Sequence, residues 1–174
     1  MFRLFSVASD FSPDLINWIR DNRKERRIVT LNPNDETGWD QSQLTGKLFK
    51  SSGFEVLAQE VYERTMQDFQ PLLTKVLALK PEVMDLGGTS PATAGLMVRQ
   101  ARELGYTGLF VKTGAAGPRD IVAGAGKAAA EGLVNILFAD PRNSGYQGLA
   151  QAYKKSIGQE PNELIVSFYD ATKV

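Results

Sequence analysis

Short apolar runs of strand length recur along the chain with helical stripes between them, and this alternation constrains the fold more than any other feature. Ile28-Val29-Thr30-Leu31 halts at the turn cluster Asn32-Pro33-Asn34-Asp35. The spacing then predicts a helix from Asp40 to Ser51, with Leu44, Leu48 and Phe49 on one side and Gly53 as its stop. Phe54 to Val61 reads as the next strand. Phe69, Leu72, Leu73, Val76 and Leu77 fall at i, i+3, i+4, i+7 and i+8, the stripe of a helix packed on a sheet, which Pro81 ends. Val83 to Leu86, Leu109 to Val111 and Leu133 to Phe138 are further strands. Ala94, Met97, Val98, Ala101 and Leu104 form a stripe stopped by Gly105, and a short helix begins near Pro118. Helices are also expected over Leu15–Arg23 and Gly145–Ile157, the latter with Leu149, Ala152, Tyr153 and Ser156 or Ile157 inward. Strands separated by helices are the signature of right-handed βαβ units. The expected class is α/β: a doubly wound, mostly parallel, five-stranded sheet with helices on both faces.

In such sheets ligands bind outside the carboxyl ends of the strands, near the point where strand order reverses. That places Asn32 to Trp39, Gly87 to Pro91 and Lys112 to Gly117 on one edge. Within VMDLGGTSPATAG, residues 83–95, Gly87-Gly88 let the backbone turn sharply and let a ligand come close. Ser90 or Thr89 caps the helix that Pro91 begins. Thr37-Gly38-Trp39 offers a hydroxyl and a large aromatic at the same edge. Trp39 either supplies the apolar wall of a small-molecule site or packs under the first turn of its own helix.

The residue inventory excludes several chemistries. There is no cysteine and no histidine, which removes a thiolate nucleophile, a Ser-His pair and the common zinc sites. Twenty basic and twenty acidic side chains cancel, leaving no global field to draw the chain onto nucleic acid or anionic lipid. The basic run Arg20, Arg23, Lys24, Arg26, Arg27 is diluted by Asp21 and Glu25 and reads as a solvated helix end. No apolar run approaches the length of a membrane span, about eighteen residues, and Met1-Phe2-Arg3 does not open a signal peptide.

Gly124-Ala125-Gly126-Lys127-Ala128-Ala129 fits the loose dinucleotide fingerprint but continues a proline-started helix instead of following a strand, so it reads as a helix end leading into strand five. The phosphate-binding P-loop fails as well: Ala128 follows Lys127, and Ile121 stands where the first glycine is needed. Asp35, Glu36, Asp40 and Asp120 read as helix-start acids and not as general acids or bases. Neither a cofactor nor a metal ligand set is expected, and nothing marks an enzyme.

The order of segments resembles the periplasmic solute-binding proteins of branched-chain amino acid type ABC transporters. The specific stretches are MQDFQPLLTKVLALKPEVM, the GG turn followed by LMVRQARELGY, then AAAEG, and the ending AYKKSIGQEPNELIVSFYDA. The resemblance covers nearly the whole chain. It implies a type I periplasmic-binding fold, two α/β lobes joined by three crossings that close on a ligand between them. Phe2 to Val7 and Leu164 to Tyr169 are read as extended, apolar segments beyond the helices that close the sheet. On this resemblance residues 1–174 are a single lobe, the second, with 1–10 and 164–174 as crossover segments toward a missing first lobe.

Carried over residue by residue, the family's ligand positions become Thr37, then Thr89 and Ser90, then Gly114. Thr37 stands where a tyrosine is frequent, and Gly114 where an acid meets the ligand's α-ammonium. Gly38 and Trp39 beside Thr37, and Lys112 and Thr113 beside Gly114, complete the expected site. The departure at Gly114 from the family's pattern counts against an aliphatic amino acid and, with Lys112 and Thr113 nearby, favours a small organic acid or another non-amino-acid solute. The implied partners are a small-molecule ligand and, through the full-length parent, an ABC transporter permease, with no nucleic acid and no membrane insertion. The parent is then periplasmic or extracellular. The alternative is an effector-sensing domain of a regulator or receptor, which a helix-turn-helix ahead of residue 1 in the full gene would support. Apolar surface meant for the first lobe, with Phe2, Leu4, Phe5, Ile165 and Phe168, also predicts a homodimer or segment exchange of the isolated lobe. A strict monomer in sedimentation at high concentration would count against that.

Overall fold

The computed structural model describes residues 6–114, 117–162 and 165–173. The chain divides into two compact units, one of residues 7–136 and a smaller one whose described part is Ser6 and the residues from Leu137 on. In the larger unit α1 (Ala8–Asn22) leads into β1 (Arg27–Pro33), α2 (Glu36–Ser51), β2 (Glu55–Tyr62), α3 (Gln70–Leu77) and β3 (Val83–Asp85). There follow α4 (Pro91–Glu103), β4 (Leu109–Lys112), α5 (Pro118–Ala125), α6 (Lys127–Ala130) and β5 (Val134–Asn135). The five strands stand in the order β2-β1-β3-β4-β5, and every pairing is parallel. Strand order therefore reverses between β1 and β3.

Successive strand residues point to opposite faces, and both faces are covered, which is why the strands read as continuous apolar runs. Val29, Met84 and Phe110 pack with Phe69, Leu73, Met97, Val98 and Ile121 on the side of α3, α4 and α5. Their neighbours Ile28, Val83 and Val111 pack with Leu15, Ile16 and Ile19 of α1 and Phe49 of α2 on the other. Three edge-to-face aromatic pairs brace these cores: Phe49–Phe54, Tyr62–Phe69 and Tyr106–Phe110, with ring centroids 5.2, 5.2 and 5.0 Å apart.

Several boundaries differ from expectation for local reasons. Helix α1 starts at Ala8 and not near Leu15, and Pro13 lies inside it. The carbonyl that loses a donor there belongs to Ser9, which is exposed to water. Helix α2 starts at Glu36 instead of Asp40 because the Asp35 carboxylate caps it, accepting from the Gly38 N–H at 3.1 Å. Strand β5 is only Val134–Asn135, not Leu133 to Phe138, since its partner β4 ends at Lys112 and offers no further ladder.

The smaller unit carries α7 (Ser144–Ile157), capped by Asn143, and α8 (Ile165–Ala171). The extended reading of Leu164 to Tyr169 is corrected here: from Ile165 on the segment is helical, Leu164 lies outside the described residues, and so do Phe2 to Phe5. Val166, Tyr169, Asp170 and Lys173, at i, i+3, i+4 and i+7, line a groove shared with Leu149 and Ala152 of α7. The helical period prevails over the apolar alternation. The inward stripe expected on α7 is incomplete: Leu149 and Tyr153 are half-buried, whereas Ala152 and Ile157 are exposed.

Candidate functional site

Because every strand pairing is parallel, the loops after β1, β3 and β4 share the carboxyl edge of the sheet, beside the point where strand order reverses. The β1–α2 loop builds one side of it. Asp35 caps α2 and pairs with Arg64, whose guanidinium holds the carboxyl below its usual range. Trp39 is 56% exposed, its indole N–H donating to Asn34 Oδ1 at 3.0 Å, while Asn34 Nδ2 donates to Glu63 Oε1 at 2.7 Å. The ring is thus held by its polar end at the surface and is not tucked beneath its helix. Thr37 is also exposed and lines a shallow hollow of about 540 Å³ with Val7, Ser9, Asp40, Gln41 and Leu44. Gly38 is closed to any side chain, because a Cβ there would stand 1.9 Å from the Pro33 carbonyl oxygen.

The β3–α4 loop divides its two hydroxyls. Ser90 is half-buried and caps α4: its Oγ accepts from the Thr93 N–H at 3.2 Å and donates to Thr93 Oγ1 at 2.9 Å. Thr89 is turned inward, buried, and donates to the Leu31 carbonyl at 3.2 Å. The Gly88 N–H is taken by Asn32 Oδ1 at 2.8 Å.

The end of β4 with Thr113 and Gly114 is the most enclosed described part of this edge. Lys112 is fully buried, and its ammonium donates to the carbonyls of Gly87 at 3.0 Å and Thr89 at 2.7 Å. It ties the loop after β4 to the loop after β3. Thr113, also fully buried, donates its hydroxyl to both oxygens of Asp85, at 2.9 and 2.8 Å, and its N–H to the same carboxylate at 3.1 Å. Gln41 Nε2 reaches Thr113 Oγ1 at 3.2 Å, and Ser12 Oγ donates to the Thr113 carbonyl at 2.7 Å. Gly114 abuts the GG turn so closely that a Cβ would lie 1.9 Å from the Gly87 carbonyl oxygen.

All eight residues singled out in the sequence reach this edge, in two classes. Thr37, Trp39 and Ser90 have surface to offer; Gly38, Thr89, Lys112, Thr113 and Gly114 are buried and hold the loops together. Sequence reasoning passed over Asp85, Asn32, Gln41 and Ser12. Burial pushes the Asp85 carboxyl up to about 6, against the opposing pull of Thr113, Lys112 and the Gly87 N–H. The signal for it was a lone carboxylate inside an apolar strand. Among the described residues no group of acids is placed to hold a metal ion, and no helix is long and apolar enough to cross a membrane.

The family model for periplasmic binding proteins matches residues 1–174. The chain is 26% identical over 170 residues to the leucine-, isoleucine-, valine-, threonine- and alanine-binding protein of Pseudomonas aeruginosa, covering 95% of this chain and 44% of that protein. Among solved structures, the leucine-binding protein LivK of Thermotoga maritima superposes with a TM-score of 0.84 at 24% identity, covering 98% of this chain and 49% of that one. A solute-binding protein of an ABC transporter from R. palustris, in complex with benzoate, superposes at 0.80 with 18% identity, covering 99% and 47% respectively. The chain thus spans less than half the length of these relatives. Their shared fold is the parallel sheet with helices on both faces seen here. The match runs from first residue to last, and the family is one of binding proteins and not of enzymes. The chain belongs to the periplasmic binding protein family.

Proposed function

We propose that the chain is a ligand-binding lobe of an ABC transporter solute-binding protein, which captures a small organic acid in preference to an amino acid by hinge closure against a second lobe. The carrying observation is Gly114. On the resemblance it stands where an acid would meet an α-ammonium, and it is closed to any side chain by the Gly87 carbonyl. The exposed Trp39 ring suits a flat or apolar solute body, with the exposed Thr37 hydroxyl able to donate to its polar end and Ser90 at the same edge. The structural relative solved with benzoate fits the same reading. Residues 1–10 and 164–174 serve in this scheme as the crossings between lobes, and the parent works on the outer side of the membrane with a permease as its partner. Ligand that binds only the closed form stabilises it by its differential affinity.

Calorimetry on the two-lobed parent tests the reading with benzoate and leucine as probes. Benzoate is expected to bind and leucine to give no heat; the opposite result would sink the choice of acid. The present chain alone should bind benzoate far more weakly than the parent, and equal affinities would refute a site divided between lobes.

A further inference from the structure

The loop after β2, residues 63–69, leaves the same carboxyl edge and is fastened on both sides. On its inner side Met66 packs against the core that the sheet shares with α3, α4 and α5. Gln100 of α4 holds the far end of the loop, its Oε1 accepting from the Phe69 N–H at 2.7 Å and its Nε2 donating to the Gln67 carbonyl at 3.1 Å. On its outer side the chain is bonded to the loop after β1. The Asn34 N–H donates to the Tyr62 carbonyl at 2.7 Å, Asn34 Nδ2 donates to Glu63 Oε1 at 2.7 Å, and Arg64 pairs with Asp35, the cap of α2.

These bonds end on an exposed ring. Trp39 sits in the first turn of α2, its N–H donating to the Asp35 carbonyl at 2.8 Å, so its main chain is fixed. With more than half of its surface in water, packing alone does not fix its side chain. The further hold on the ring is the bond from its indole N–H to Asn34 Oδ1. Which end of the Asn34 amide meets the ring is decided by Glu63. An ionised carboxylate only accepts and an indole N–H only donates, so Glu63 takes the Nδ2 end and turns the Oδ1 end to Trp39. Without that carboxylate the amide is free to turn its NH2 group toward the ring, where donor would face donor.

We propose that Glu63 is a positioning residue for the candidate site: acting through Asn34, it fixes the plane of the Trp39 ring, with the loop after β2 as its anchor. The loop after β2 thereby joins the loops after β1, β3 and β4 as a fourth member of the binding edge. A ring set in advance favours a flat solute body that stacks on it, since the side chain is ordered before the solute arrives. The order of the ring stands on the bonds themselves, and only its use in solute capture rests on the proposed function.

NMR relaxation of the indole N–H groups, on the full chain, tests the positioning, with Trp39→Phe assigning the Trp39 signal. The wild-type order parameter at Trp39 is expected near about 0.85, the value of a rigid group. In Glu63→Ala and in Asn34→Ala it should fall below about 0.6, whereas Glu63→Gln, which still accepts from Asn34, should keep the wild-type value. A wild-type value already below about 0.6, no loss in an alanine variant, or a loss in Glu63→Gln as large as in Glu63→Ala would overturn the proposal. Both positions are exposed, and if one alanine variant fails to fold the other carries the test. Calorimetry of the two-lobed parent with benzoate extends the test to capture. Comparing Glu63→Ala with Glu63→Gln cancels the loss of charge, and the alanine variant should bind about 2- to 12-fold more weakly, the cost of ordering one side chain. Equal affinities would overturn the role in capture and leave the proposed function standing. No heat from the wild-type parent would overturn the choice of acid, while the order parameters still decide the positioning.

Discussion

Gly114 shows how one backbone contact decides what a position can carry. With the Gly87 carbonyl oxygen 1.9 Å from where a Cβ would stand, Gly114 lies against the GG turn and has no room for a side chain. Gly114→Ala is expected to cost about 1–3 kcal/mol by overpacking, read as a lower denaturant midpoint. A midpoint unchanged within error would mean that the loop yields easily, and with it the argument against an amino acid ligand. Asp85 makes a second residue-scale prediction. Its folded pKa of about 6 lies above the ordinary 3.8, so between those values the folded chain binds a proton that the unfolded chain releases. The stability this contributes is fully present below the ordinary value and is lost as pH rises through about 6, on the order of 3 kcal/mol for a group so buried. Asp85→Asn, neutral throughout, should gain stability relative to the wild type as pH rises from about 4 to 7. Parallel melting-temperature curves for the two proteins would refute it.

At the scale of elements, α4 is held to the sheet by its buried stripe of Ala94, Met97, Val98 and Ala101 and is started by the Ser90 cap. Ser90→Ala should lower stability by about 1 kcal/mol and Ser90→Gly by less, measured by chemical denaturation; an alanine variant as stable as the wild type would show that Pro91 alone starts the helix. The capping pattern around Ser90-Pro91 was legible in the sequence, as were the strands, because buried parallel strands leave continuous apolar runs. The common edge followed from strand order. Which way each side chain turns was less legible, yet not beyond reach. The period of two that puts Phe110 in the core puts Lys112 on the same side, so its burial was implicit in the strand. Asp85 was hidden by its neighbours, since Val83, Met84 and Leu86 dominate the run. Helix α8 was misread because a six-residue apolar stretch fits either period until the residues beyond it, Asp170 and Lys173, are counted in.

At the scale of the whole molecule, the larger unit spends its buried polar groups on binding three loops to one another, leaving the outer surface of the edge to Thr37, Trp39 and Ser90. Under the proposed function, loops already bonded to one another would lend their share of the affinity at little ordering cost. The exposed indole at that edge has a spectroscopic consequence. The chain has two tryptophans, Trp18 on α1 at 47% exposure and Trp39 on α2 at 56%. In a parent carrying Trp18→Phe, any tryptophan contribution from outside this chain being subtracted with a Trp39→Phe control, saturation with benzoate should move the Trp39 emission to shorter wavelength. A bound complex whose emission stays put would remove Trp39 from the cleft wall. If the shift is seen, closure of the receptor can be timed by stopped-flow fluorescence without any attached dye.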